Sequence, residues 1–355
     1  MAKIMTAEAL SAQVKSGEFF FEEDFSEMDC EGIDLSGGIF NDICFENCNF
    51  TRANLKEAVF NTCSMKNSVF SEANTTAASF IKCDLENASF KLVDTKALRF
   101  IESQMEKVNF SNSKLDGLSV FSDSNLTGSL FAGCTLEAVV FNSCKMQNVD
   151  LSRANLHKTT CYQCEFENNI FKNAAIRLCL FHGANFTDTD FSNMDLTRVQ
   201  FHNSTLKGCN FSGTKLRQGG FMWANLEKTN FSHASLEFAN FYEAILSGSN
   251  FMNANMKMAS LQNAVLTGCD FSFTNLYQAQ MEGIKAEHSI FKNADLSFAD
   301  LSHANIKNSN FSDSNLFLTN LHEIEDEYTK WQGSKKSAAR GTDPKRLKSE
   351  QWGKK

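Results

Sequence analysis

Proline is nearly absent from this chain: 355 residues contain only Pro344. Proline cannot donate a ladder hydrogen bond, so a body without it can commit its backbone N–H groups to strand pairing. Long apolar runs are absent as well. Met1 to Glu18 has no signal-peptide core, and no stretch approaches the length of a membrane span. The expected location is therefore the cytoplasm, with signal-independent secretion as the other route. No Walker loop, GxSxG or HExxH is present, so the motif content does not point to an enzyme. No catalytic, cofactor or metal residues are assigned.

What the chain has is a period. From Leu226 to Leu266 every fifth residue is apolar, through Phe231, Leu236, Phe241, Leu246, Phe251, Met256 and Leu261. Two positions earlier lies a small residue, as in Ala224, Ala234, Ala239 and Ala244. Neither a helix nor an ordinary strand has this period; a solenoid does, because each unit buries its apolar residue only by stacking on the next. The same pattern starts at Phe25 and runs in steps of five to Leu115, then resumes at Phe121 and continues to Leu321. One extra residue therefore lies within Asp116 to Val120, and Gly117 is the expected site of a bulge or bent corner.

The 12 cysteines mostly follow this register. Cys48, Cys63, Cys83, Cys134, Cys144, Cys164, Cys179, Cys209 and Cys269 all take the small position, which favours packing over metal binding or disulfides. Cys161 and Cys164 have CxxC spacing, but no second such pair accompanies them.

Several units, such as Ala154-Asn155-Leu156, Ala224-Asn225-Leu226, Ala294-Asp295-Leu296 and Ala299-Asp300-Leu301, match A-(D/N)-L-x-x. In this the chain resembles the pentapeptide-repeat family. The resemblance implies an all-β fold, a right-handed quadrilateral β-helix with four pentapeptides per coil and about 15 coils over this length. Residues 20 apart should then stack, and Phe191, Phe211, Phe231, Phe251, Phe271, Phe291 and Phe311 form such a column. Asn210, Asn230 and Asn250 form another, suited to an amide ladder.

The expected organisation is a helical cap over 1–19, a solenoid over 20–321 and a tail over 322–355. Ala7, Leu10 and Val14 have helical spacing, with Thr6 as N-cap and Gly17 as stop. The tail is acidic and then basic, carrying net +7 from Thr329 onward, which leaves −15 for the rest of a chain of net −8. It reads either as flexible or as a lid anchored by Tyr328 and Trp331.

The seven histidines fall at outward positions, and His182 and His202 should be neighbours on successive coils without a third ligand. The most informative surface signal is apolar. Phe238, Met258, Phe298 and Leu318 share one outward column, with Tyr277 and Phe317 beside it. Contiguous exposed apolar surface marks a contact site, so the reading is a non-catalytic scaffold that binds another protein or forms a homodimer. Some relatives are acidic DNA mimics that engage gyrase, and others are associated with secretion systems. The resemblance carries both as alternatives. Nucleic acid is not an expected partner of so acidic a body.

Overall fold

The computed structural model describes residues 5–352. They form two units that divide between Leu180 and Phe181. Each is a β-solenoid of parallel pairings in a 20-residue register, with about eight coils per unit. The coil count differs slightly from the expected 15 because pairing extends beyond Leu321, as far as Arg340.

In the first unit, helix α1 (Ala7–Ser16) buries Ala7, Leu10 and Val14. Thr6 caps it by accepting the Ala9 N–H, and Gly17 ends it at φ 80°. Ser11 donates to the Asp34 carbonyl at 2.7 Å, tying the helix to the first coil. The chain then enters β1 (Phe20–Phe21), which pairs in parallel with β2 (Ile39–Asn41). Pairing continues through β3 (Val59–Asn61) and β4 (Ser79–Ile81). The core is columns of like residues. Phe60, Phe80 and Phe100 stack face to face, with centroids 4.9 and 5.0 Å apart. Phe90 meets Phe80 edge-on at 5.7 Å. Each such ring, fully buried, contributes roughly 1.5–3 kcal/mol.

The frame slip is visible as Phe100 pairing with Phe121, one residue beyond the usual register. A tight turn absorbs the extra residue. The N–H groups of Leu118 and Ser119 both reach the Asp116 carbonyl, at 2.7 and 2.9 Å, and Leu118 is 71% exposed. Of the bulge or bent corner expected at Gly117, the structure has the bent corner, and Gly117 in it is not left-handed. Its role is space, since a Cβ there would stand 3.3 Å from the Ala138 Cβ.

In the second unit the phenylalanine column from Phe191 to Phe311 is continuous, with neighbouring rings stacked 4.5 to 5.1 Å apart. The expected end at Leu321 is too early. Bridges join Asn305 to Glu325, Asn310 to Lys330 and Asn320 to Arg340. Trp331 extends the column by stacking on Phe311 at 4.8 Å. Asp326 and Lys336 occupy the neighbouring central positions and pair at 2.5 Å. The Lys336 ammonium lies 4.5 Å from the centre of the Trp331 ring. This coil escaped the apolar pattern because its interior has a neighbour on one side only, so polar groups there keep access to water. Helix α2 (Pro344–Trp352) follows, and the stretch expected to be a flexible tail is thus a further coil and a helix.

All 12 cysteines are free, and all but Cys44 are buried. They are more than small apolar fillers. The Cys269 thiol donates to the Leu246 carbonyl at 3.0 Å, as the Ser289 hydroxyl does to Leu266 at 2.7 Å. Burial pushes the thiols of Cys134, Cys209 and Cys269 up to about 12.

Candidate protein-contact surface

The corners of the coils determine what faces outward. Where a central residue accepts the N–H of the residue three ahead, as Phe231 does from Ala234 at 3.1 Å, a β-turn forms. The third residue of that turn, here His233 at φ 59°, is left-handed. Such a position favours glycine or asparagine, because a side chain there crowds its own backbone. Gly208, Gly213, Gly248, Asn193, Asn203 and Asn253 meet this preference.

Many other residue types occupy it too, and one corner of the second unit carries apolar side chains there. Phe238, Met258, Phe298 and Leu318 take the left-handed position at φ 60°, 57°, 61° and 55°. Phe238, Met258 and Phe298 are each about two-fifths exposed, and Phe317 about half. Leu318 is half-buried, its N–H donated to the Ala338 carbonyl of the following coil at 2.9 Å. The structure brings three rings together. Phe298 meets Tyr277 and Phe317 edge-on, each at 5.5 Å. Phe238 is covered by the Arg217 guanidinium at 5.2 Å, and the Lys257 ammonium lies 5.2 Å from the Tyr277 ring. Gln278 interrupts the column and is exposed.

Sequence reading missed Phe273, 57% exposed at φ 59°, and the exposed Trp223, whose ring meets that of half-buried Tyr242 at 6.1 Å. The signal was available, since Phe273 and Trp223 stand two residues after Phe271 and Phe221 in the same register.

The expected tail anchors behave differently from each other. Trp331 stacks in the core column, whereas Tyr328 is 85% exposed. Nor is α2 a lid over the apolar corner. Its side chains reach Glu282, His303 and His322 instead. Glu350 lies 3.3 Å from both His303 Nε2 and His322 Nε2, while Arg346 Nε donates to it at 2.7 Å. Arg346, followed by His322 and His303, holds the Glu350 carboxyl down at about 2.

Two imidazoles and a carboxylate within 4.8 Å of one another have the composition of a zinc site. The tautomer argues against that use. The Asp343 N–H donates to His322 Nδ1 at 3.0 Å, so the neutral ring carries its proton on Nε2 and presents it to Glu350. Ligation through Nε2 would put a proton on Nδ1, facing the Asp343 N–H. A ligating histidine normally donates from its other nitrogen. The cluster is a clamp for α2. His202, the other histidine of interest, is held below the usual range by burial and then by neighbouring His182.

The comparisons with known proteins agree with the repeat. A family model described as a pentapeptide repeat region matches residues 75–145, 134–211 and 195–271, and one for pentapeptide repeats (8 copies) matches 259–285, 279–316 and 294–323. A model for the SV2A/B/C luminal domain matches residues 2–90. No curated protein matches the chain. Among solved structures, a pentapeptide repeat protein from the cyanobacterium Cyanothece 51142 is 26% identical over 30% of this chain and 87% of its own, with TM-score 0.28. HetL, involved in heterocyst differentiation regulation in Nostoc sp. strain PCC 7120, is 17% identical over 78% of this chain and 91% of its own, with TM-score 0.17. Full-length QnrB1, a plasmid-mediated fluoroquinolone resistance protein, is 16% identical over 69% and 91%, with TM-score 0.19. With a model matching more than half of its residues, and a parallel β-solenoid built on the same five-residue period, the chain belongs to the pentapeptide-repeat family.

Proposed function

We propose that this protein is a non-catalytic scaffold that binds another protein through the corner carrying Phe238, Met258, Tyr277, Phe298, Phe317 and Leu318. One observation carries this reading: bulky apolar side chains recur where the backbone favours glycine and where the side chain meets water. Phe238, Met258 and Phe298 are unfavourable on both counts, by about 1–2 kcal/mol for the backbone conformation alone. Their shared column, broken by Gln278, gathers these separate costs on one corner, where Phe298 joins Tyr277 and Phe317. The rigid coils beneath hold the rings in place, which limits the entropy lost on binding. A cytoplasmic location goes with this reading; no helix among the described residues is long and apolar enough to cross a membrane.

The test is affinity capture with the intact protein and with a Phe238→Asp, Phe298→Asp variant, alongside measurement of oligomeric mass. The variant should lose a specific partner or a self-association that the parent shows. Identical partners and mass in both would sink the proposal. Gyrase supercoiling assays address the DNA-mimic alternative. Asp150, Asp190 and Asp270 form no acidic stripe, since the residues paired with them on the following coil are Ile170, Asn210 and Ile290. We therefore expect neither inhibition nor protection of gyrase.

A further inference from the structure

Strand β1 of the first unit pairs with β2, and no strand pairs with its other edge among the described residues. Exposed edges are usually blunted with lysine or proline, or covered. This edge instead carries Phe19 and Phe21, 75% and 60% exposed. The charges that flank it in the chain are acidic, Glu18, Glu22 and Glu23, all exposed, while the nearby Lys15 is paired with Asp34. An adjoining cleft of about 440 Å³ continues the acidic surface through Asp24 and Glu27. Among the described residues, none of these carboxylates is in a salt bridge. Such a surface fits a partner that presents cations on apolar stems beside an aromatic ring.

Helix α2 presents that chemistry. Its inner side is occupied by Arg346 and Glu350 in the clamp. Lys345, Lys348 and Trp352 recur at helical spacing on the other side and are exposed, Trp352 by 80%. Neither lysine is in an ion pair among the described residues. We propose that the Lys345–Lys348–Trp352 face of one molecule docks on the Phe19–Phe21 edge of a second copy of this chain. The ammonium groups meet the carboxylates, and the lysine stems and indole cover the two phenyl rings. The two surfaces differ, so a bound copy still offers one free edge and one free helix. Assembly therefore grows with concentration unless the contacts close into a ring. None of the apolar-corner residues takes part, so this inference stands apart from the binding function proposed above.

Sedimentation of the full chain tests it at ~20 mM and ~500 mM salt, since screening weakens exposed charge pairs. The mass should rise with protein concentration at low salt and return to the monomer at high salt. A Lys345→Glu, Lys348→Glu variant should associate about tenfold or more weakly, equivalent to 1.4 kcal/mol. Mixing it with a Glu22→Lys, Glu23→Lys variant should restore association between the two, which separates lost complementarity from misfolding. A wild-type monomer at low salt and ~100 µM protein, a concentration at which contacts of about 5.5 kcal/mol would register, overturns the proposal. So does association that survives both reversals but disappears in the Phe238→Asp, Phe298→Asp variant.

Discussion

Asparagine performs two tasks at once in these coils. The Asn210 carboxamide oxygen accepts the Ser212 N–H at 3.1 Å, closing a local turn, while its Nδ2 donates to Asp190 one coil earlier at 3.0 Å. Asn230 repeats this one coil later, donating to Asn210 at 3.2 Å. The ladder has a direction and starts on a carboxylate, which needs only to accept. Asn54 and Asn74 build the same series on Asp34. The left-handed corners impose the opposite demand, for residues whose side chains leave the backbone uncrowded. Leu92 violates it at φ 59° and is 55% exposed. Leu92→Asn should therefore stabilise the protein by about 1 kcal/mol. Thermal or urea unfolding would register the gain, and a loss of stability would refute the backbone argument.

Helix α2 shows how an element can depend on one carboxylate. Glu350 receives Arg346, His322 and His303, which together hold its carboxyl at about 2, below the ordinary 4.5. A lowered folded pKa means that this stabilisation is fully present above about 4.5 and is lost as pH falls toward 2. The α2 amides should stay protected from exchange at pH 5 and open as the pH falls through that window. Glu350→Gln should loosen α2 already at neutral pH, seen as faster tryptic cleavage after Lys345 and Lys348. Equal cleavage of parent and variant would rule out the clamp. The coils beneath were legible in the sequence because a period repeated many times leaves little ambiguity. The apolar corner was legible as a column, though not its backbone cost, because φ cannot be read from side-chain type. The clamp was not legible. His303 and His322 are neighbours across coils yet lie 19 residues apart, outside a search at 20, and Glu350 comes from a helix beyond the repeat. Pro344, at the first position of α2, was the available sign of that helix.

At the scale of the whole chain, stability is a sum over neighbouring coils, so the last coil matters more than its sequence suggests. Ending the chain at Leu321 would uncover Ile306, Phe311 and Leu316, each fully buried in the intact protein. The penalty is roughly 2 kcal/mol for each side chain returned to water. The shortened protein should melt earlier and aggregate, whereas ending the chain at Asp343, after the final bridge at Arg340, should spare most of the stability. Differential scanning calorimetry of the two truncations decides this, and equal melting of both would refute the capping role of Trp331. The turn at Asp116 to Ser119 carries a different consequence. It takes up a residue more than its neighbours while Phe121 still stacks on Phe100 at 5.1 Å. A corner that absorbs an addition without passing it on is a tolerant splice point. Foreign peptides grafted after Gly117 would be carried as cargo, and lineages of such proteins can lengthen or decorate one coil while inheriting the others unchanged.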